Sequence, residues 1–399
     1  MVASTACNEP YDILIAGAGA VGAALACGLA DSAVRVGVIE AVPLAEEGKS
    51  THDGRGLALS LGSRHVLDNN GVWPLLAEPV CPIDHIHVSH RGHFGVVRFD
   101  AAELALPALG YVVPAMRLGR ALLDRIAAAD NIELICPASL VALCQDGERV
   151  SVTLETDDGS RRMLHTSLLI GADGSRSRVR ELCNIAIRVK DYGQTAIVGS
   201  IRPAVAHANT AYERFTDSGP VALLPLQDGR CVAVCCVEHA EAATLMAGPD
   251  TALLDTLQQR FGLRLGRLSE PGPRRSYPLQ LVESKRQHVG RVLLLGNSVH
   301  TIHPNAAQGF NLGLHDAAAL ARLIRGADDP GAPEVIRRYL DQRVSVQQRV
   351  IRFTDSLAWL FYRPHPLIGP LRCLGMVGLD VLPSLKRAFA RRTAGLART

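Results

Sequence analysis

The sequence predicts an α/β protein built from a Rossmann-like dinucleotide-binding unit, an inserted antiparallel-sheet domain and a helical C-terminal region. Three observations carry this expectation. A glycine-rich turn separates an apolar strand from a small-residue helix near the N-terminus, short strands with turn signals crowd the middle of the chain, and the final stretch is helical. The 399 residues, 48% hydrophobic and 20% charged, suffice for two domains or for one large domain carrying an insertion.

Taken in order, residues 11–16 form a short apolar strand, 20–30 a small-residue helix and 34–39 a second strand, which together make a βαβ opening. Residues 61–70 read as a helix closed by Gly71. A helix over 117–129 precedes a strand at 132–136, and strands at 150–155 and 165–170 flank the Asp157-Asp158-Gly159 turn. From 195 to 237 short strands alternate with turns at Asp217-Ser218-Gly219 and Asp228-Gly229, the pattern of an antiparallel region. A buried strand returns at 292–295, a helix follows over 309–325, and helices interrupted at Pro364, Pro366 and Pro370 complete the chain. The expected division is 1–84, 117–183 and 286–325 for the discontinuous dinucleotide-binding domain, 85–116 and 184–285 for the β-rich domain, and 326–399 for the helical region.

Composition removes several function classes. The apolar fraction is too high and the net charge of +3 too small for a disordered chain, and no basic stripe marks a nucleic-acid partner. The uncharged run over 13–30 is long enough to span a membrane. Glu9 and Asp12 precede it where a signal peptide wants Lys or Arg, and Gly17, Gly19, Gly22 and Gly28 break it into strand, turn and helix. The ten cysteines include no Cys-x-x-Cys pair, and Cys231, Cys235 and Cys236 sit in an apolar strand-like run. Buried, reduced thiols of a cytoplasmic protein are expected, with neither zinc nor disulfides.

The chemistry begins at Gly17-Ala18-Gly19-Ala20-Val21-Gly22, a GxGxxG between strand and helix. Gly17 permits the tight turn, Gly19 lets backbone approach a pyrophosphate, and Gly22 allows the helix to close on the strand. The helix N-terminus then presents free N–H groups to phosphate. Glu40, at the end of the second strand, suits ribose hydroxyls without a 2′-phosphate, which favours NAD or FAD over NADP at this site. Two later segments share the pattern of strand, polar turn and helix entry: LLIGADGSRSRVR over 168–180 and LLLGNSVHTIHPNAAQGFNLGLHDA over 293–317.

These three motifs, in this order and spacing, resemble those of the class A flavoprotein aromatic hydroxylases, the para-hydroxybenzoate hydroxylase-like family. The resemblance implies a Rossmann-like FAD-binding domain of the GR2 type. Gly17, Gly19, Ala20, Val21, Gly22 and Glu40 then fall at the FAD ADP moiety, and Asp173 and Gly174 at a motif associated with both FAD and the nicotinamide donor. Gly296, Asn297, Gly309, Phe310 and Asn311 fall near the ribitol and isoalloxazine. Arg55 is a further candidate FAD contact, Pro304 a wall near the reacting edge and His303 a candidate acid/base. By family position Tyr192, Arg214 and Pro225 line the substrate cavity. No second GxGxxG is present, as expected of a family without a separate nicotinamide-binding domain.

The third motif of the family usually begins Gly-Asp, whereas this chain has Gly296-Asn297. Asn keeps an acceptor oxygen for the ribitol but loses the charge, so weaker FAD binding is expected. Asn297, His303-Pro304 and Gln308-Gly309-Phe310-Asn311 resemble the ubiquinone-biosynthesis branch, the 2-polyprenyl-6-methoxyphenol hydroxylases in particular. So do Asp53-Gly54-Arg55, VSHRGHFG over 88–95 and ERFTDSGPVALLPLQDGRC over 213–231. The resemblance implies a monooxygenase in which NADPH or NADH reduces FAD, O2 is captured as a flavin C4a-hydroperoxide, and a hydrophobic polyprenylphenol is hydroxylated to a 1,4-benzoquinol. Hydroxylation of another ring position or another phenol stays open, as do, more distantly, an NAD-dependent dehydrogenase and a non-catalytic flavin-fold protein.

Two features remain outside the motifs. His85, His87, His90 and His93 invite a metal reading, but the nearby Asp84 would point to the opposite strand face from His85 and His87, so a polar strand of the substrate domain is expected and no metal. The chain ends with Lys386, Arg387, Arg391, Arg392 and Arg398 among Leu382, Leu385, Phe389 and Leu396. Without those five charges the acidic residues outnumber the basic ones. The tail reads either as a solvated helical end or as a contact surface for the inner face of the membrane or a quinone-biosynthesis complex.

Overall fold

A computed structural model describes residues 10–43, 56–76, 80–362 and 368–395. Among them the strands form sheets of eight, nine and three strands. In the eight-stranded sheet Tyr11–Ala16 is central. Arg161–Gly171 and then Val292–Leu294 lie on one side, Val36–Ile39 and then Ile132–Ile135 on the other, all in parallel pairings. Parallel strands buried on both faces need continuous apolar runs, which is why this sheet is carried by ILIA, VGVI and VLL segments.

One face of that sheet, with Ile13 and Ile15, packs beneath the helices Ala20–Leu29, Ala115–Ala127 and Gln308–Arg325. The other, with Leu14 and Ala16, packs against residues of the antiparallel strands Ala138–Gln145 and Val150–Thr156. The uncharged run near the N-terminus is thus a buried strand and helix. No helix among the described residues is long and apolar enough to cross a membrane. Burial of each such Leu, Ile or Val contributes roughly 1.5–3 kcal/mol.

The nine-stranded sheet is organised by the long strand Ile187–Pro203, paired antiparallel with Arg275–Ser284 and Cys231–Glu238. Val221–Pro225 and Thr210–Phe215 follow, and His85–His90 joins Thr210–Phe215 in parallel, with Val96–Asp100 beyond it. One face carries Ile197, Val221 and Cys235 under the helices His239–Ala247 and Asp250–Phe261. The opposite face carries Phe215 and meets Phe361 and Met376 of the C-terminal helices Pro333–Tyr362 and Ile368–Val381.

Residues 110–114 differ from the sequence-based division, which grouped them with the inserted sheet. The strand Gly110–Pro114 pairs with Gly56–Ser60 and Cys81–Ile83 in the three-stranded sheet. Five residues, GYVVP, carry no signal of which partner they will meet. The small sheet touches the large one closely: a Cβ on Gly56 would lie 2.6 Å from a Val232 methyl.

The nine described cysteines form no disulfide with one another, and burial pushes the thiols of Cys231 and Cys235 up to about 12 and about 11. In the final helix, Pro383–Thr393, Lys386 reaches Glu103 at 3.2 Å and Phe389 stacks on Phe99 with ring centroids 5.7 Å apart. Leu382 and Leu385 on the same segment are exposed. Leu396 and Arg398 lie outside the described residues.

Candidate cofactor and active site

The glycine turn is assembled by contacts that leave no space for side chains. Gly17 has φ +105°, and a Cβ there would come 2.6 Å from the Ala172 carbonyl oxygen. Its N–H donates to the Ile39 carbonyl at 2.7 Å. A Cβ on Gly22 would sit 2.1 Å from the Gly17 carbonyl oxygen, whereas at Gly19 no atom lies within 4 Å. Gly17 and Gly22 therefore serve the closure of the turn, and Gly19 faces open space where a ligand can approach. Gly19 is also the N-cap of the helix Ala20–Leu29, with no side chain capping it and no acid in the first turn. The N–H groups and the positive end of the dipole are available to an anion.

Glu40 holds the same turn from the second strand. One carboxylate oxygen accepts the Ala18 N–H at 2.8 Å and the other the Val42 N–H at 2.9 Å. Ala20 and Val21 pack partly buried against the core. Val21 also fills the space beside two later glycines, since a Cβ on Gly296 or Gly313 would meet its side chain at 3.1 and 2.7 Å. Arg55 lies outside the described residues, as do Asp53 and Gly54.

The second motif knots to the third. Asp173 Oδ1 accepts from the Ser177 hydroxyl at 2.5 Å and the Ser298 hydroxyl at 3.0 Å, and Oδ2 accepts the Val179 N–H at 3.0 Å. The Gly174 N–H donates to Ser298 Oγ at 3.1 Å, and Arg180 donates to the Ser298 and Ser175 carbonyls. These bonds set Asp173 as the clasp between motifs. Ser298, which is fully buried, and Arg180 were not legible as site residues; their one signal was their position inside the quoted motifs.

Next to Ser298, Asn297 is exposed in the short turn Gly296–Ser298, where its amide can meet a ligand hydroxyl. The helix Gln308–Arg325 then begins from Ala307, a non-glycine residue in the left-handed conformation at φ 50° and ψ 35°, again with no side-chain cap. Asn311 stabilises that start. Its amide donates to the Ala307 and Ala58 carbonyls at 2.7 and 2.9 Å, and its oxygen accepts the Ser60 N–H at 2.8 Å. Gly309 lies in the first turn and Phe310 packs partly buried against the core.

His303 is fully buried, and Pro304 beside it is exposed. Burial pushes the His303 imidazole down to about 4, so it is neutral at physiological pH. The structure brings it to Tyr192, whose ring it meets edge-on with centroids 4.8 Å apart. The Tyr192 hydroxyl donates to Asp355 at 2.9 Å, and Lys190 pairs with the same carboxylate oxygen at 2.5 Å. Burial, and then this hydrogen bond, push the Tyr192 phenol up. Burial alone would raise the Asp355 carboxyl, but Lys190 and Tyr192 together hold it below its ordinary value.

Arg214 and Pro225 are not brought to this cluster. Arg214 donates to the Phe261 carbonyl at 2.8 Å, on the sheet face covered by Asp250–Phe261. Pro225 stands opposite Cys231, whose side chain belongs to that same face. Tyr192 lies on the other face with Ala196, Val234 and Cys236. His85 and His87 do share one face, where they line a cavity of about 280 Å³ with Arg98, Arg264 and Lys386.

Two uncapped helix starts, an open glycine, a braced acid at the second strand and an exposed amide in the third motif form a cradle that fits FAD. The family model described as FAD binding domain matches residues 10–354. The chain belongs to the FAD binding domain family. Among curated relatives of this FAD-binding protein, the ubiquinone hydroxylase UbiL of Rhodospirillum rubrum is 36% identical over 392 residues, covering 97% of this chain and 90% of the relative. The 3-demethoxyubiquinol 3-hydroxylase of Escherichia coli is 31% identical, covering 98% and 100%. The fold is shared with p-nitrophenol 4-monooxygenase PnpA of Pseudomonas putida, at a TM-score of 0.79 and 17% identity, covering 98% of this chain and 99% of that one.

Proposed function

We propose that this protein is an FAD-dependent monooxygenase that uses NAD(P)H and O2 to hydroxylate the aromatic ring of a polyprenylated phenol in ubiquinone biosynthesis. The observation that carries the reading is the end-to-end similarity to a ubiquinone hydroxylase, supported by the two uncapped helix starts and the open Gly19 described above. The substrate is taken to be a 2-polyprenyl-6-methoxyphenol, converted to the 1,4-benzoquinol. A second reading, attack at a different ring carbon, is favoured by the relative named for 3-hydroxylation.

FAD bound in the cradle supplies the redox chemistry with the nicotinamide donor and O2. The chain's own residues divide the remaining work. The helix Ala20–Leu29 holds pyrophosphate at its N-terminus beside Gly19, and Glu40 accepts from ribose hydroxyls while bracing the turn. Asn297 receives a ribitol hydroxyl. The uncapped start of Gln308–Arg325, at Gly309, favours negative charge on the isoalloxazine. His303, held against Tyr192, is the candidate acid/base at the reacting edge even though burial disfavours its protonated form, and Pro304 walls that edge against water. The FAD-binding part is taken as 1–84, 117–183 and 286–325, joined by the strand Gly110–Pro114 that pairs with Gly56–Ser60, and the sheet insertion forms the substrate wall. A cytoplasmic protein with its hydrophobic substrate delivered at the inner membrane face completes the reading.

Purified protein incubated with FAD and desalted is expected to keep flavin absorbance and to oxidise NAD(P)H in response to a prenylphenol. One atom of oxygen from labelled O2 should enter the product, whose ring position is read by mass spectrometry. Protein that retains no flavin, or product without the label, overturns the proposal.

A further inference from the structure

His90 is an anomaly among the buried polar groups. It is 3% exposed, yet neither ring nitrogen has a hydrogen-bond partner among the described residues. A buried polar group left unsatisfied is costly, so such a ring calls for a ligand. Its surroundings supply the rest of one. The His93 ring stacks on it at 4.2 Å between centroids with an interplanar angle of 11°. Asp217 comes from the turn after Thr210–Phe215, a strand that runs parallel to His85–His90 and sets Phe215 beside His90. One ligand atom from each of the three lies within 4.8 Å of the others.

The geometry points to a binding site for a zinc-class divalent transition-metal ion held by His90, His93 and Asp217. Two imidazoles and one carboxylate are a borderline nitrogen–oxygen set that suits Zn2+ or Co2+, whereas Ca2+ and Mg2+ take oxygen ligands. Arg372 also lies within electrostatic reach of the buried His90 ring. Arg372 itself is anchored on the Leu360 and Phe361 carbonyls. Its positive charge disfavours a purely electrostatic site and leaves one that depends on nitrogen coordination.

Ligands about 2.0–2.2 Å from one ion lie within about 4 Å of one another, so the three atoms, already within 4.8 Å of each other, need at most small side-chain rotations to reach one ion. The side chains free to make them are His93 and Asp217, both exposed, while His90 packs against Phe361. Three protein ligands leave the fourth position to water. The ion would join the turn after His85–His90 to the turn after Thr210–Phe215, reinforcing an edge already linked by the Arg91 N–H to the Phe215 carbonyl at 2.9 Å. This inference stands apart from the proposed hydroxylation, and its test does not use activity.

The full-length protein is stripped with a chelator, loaded with Zn2+ or Co2+, desalted and assayed for metal per chain by atomic emission. The wild type is expected to retain one equivalent, to gain visible absorption with Co2+, and to show a higher Tm with Zn2+. His93→Ala and Asp217→Ala change only exposed side chains and should fold. Each is expected to weaken binding by about 100-fold or more, beyond the typical loss of a group that merely orients a ligand. His85→Ala, on the opposite sheet face, should retain the full equivalent. A wild type that holds no stoichiometric metal, or His93→Ala and Asp217→Ala variants that hold as much as the wild type, overturns the site.

Discussion

The ring of His303, in the third flavin motif, meets the ring of Tyr192, in the longest strand of the nine-stranded sheet, edge-on at 4.8 Å. Through Tyr192 the contact continues to Asp355 and Lys190, so one chain of side chains joins the flavin motif, the sheet and the helix Pro333–Tyr362. Tyr192→Phe keeps the edge contact and removes only the hydroxyl. It is expected to cost about 1 kcal/mol of stability, the usual net value of one hydrogen bond, by urea denaturation. If the chain orients His303, kcat should fall while KM for the phenol changes little. Tyr192→Leu, which also loses the ring contact, should lower both stability and kcat further.

Acid should destabilise the protein well above the usual carboxylate range. His87, His90 and His303 are each pushed down from an ordinary value of 6.5 to about 4, in every case mainly by burial. Above pH 6.5 these rings are neutral in both the folded and the unfolded chain. As pH falls below 6.5 the unfolded chain takes up protons that the native rings refuse, so stability is lost progressively until about pH 4. Each group contributes about 1.36 kcal/mol per pH unit in that window. Urea midpoints measured on metal-free protein from pH 7.5 to 4.5 should decline most steeply below 6.5. A midpoint that is flat between 6.5 and 5 would contradict the buried neutral state of these rings.

The parallel βαβ core was legible because its signals are local: an apolar strand, Gly17, Gly19 and Gly22 at fixed spacing, and a small-residue helix. The helices His239–Ala247 and Asp250–Phe261 gave no comparable signal, since neither carries a fixed-spacing motif of that kind. At the site, the motifs located Asp173 and Asn311 but not their contacts. The bonds of Asp173 to Ser298 and of Asn311 to Ser60 span more than a hundred residues of chain. Arg214 shows the same limit from the other side, because strand register decides which sheet face it joins. Asp217 beside His90 depends on a parallel pairing that no local pattern announces.

Two glycines of one motif should fail for different reasons. Gly22→Ala puts a methyl 2.1 Å from the Gly17 carbonyl oxygen, so the strand–helix closure must open. Loss of soluble protein or a fall of several degrees in Tm is expected, at a cost of about 1–3 kcal/mol or more. Gly19→Ala meets no protein atom within 4 Å and should leave the apo Tm nearly unchanged. The added methyl instead occupies the approach to the helix N-terminus, so FAD affinity should drop, as read by quenching of flavin fluorescence.

Asp316 on Gln308–Arg325 is fully buried and bonds Arg343 Nε at 2.5 Å and Gln347 at 2.9 Å, both on Pro333–Tyr362. This pair binds the flavin-motif helix to the C-terminal region. Arg343→Ala leaves a buried carboxylate without its cation, and a loss of about 3–5 kcal/mol is expected. Replacing both partners, as Asp316→Leu with Arg343→Met, should recover much of that loss in urea denaturation, because the desolvated charges are removed together.

Asn297 offers the most direct test of the cofactor assignment. Its amide is exposed in the turn of the third motif, so substitution there disturbs no buried contact. An acceptor that carries charge makes a stronger hydrogen bond to a ribitol hydroxyl than a neutral amide does, by about 1 kcal/mol. Asn297→Asp should therefore tighten FAD about 5-fold with an unchanged apo Tm, and Asn297→Leu should weaken it. The gain should persist at high salt, since it comes from a short-range bond and not from a screened surface charge. Equal FAD dissociation constants for the wild type and both variants would remove Asn297 from the cofactor contacts and detach the third motif from the ribitol.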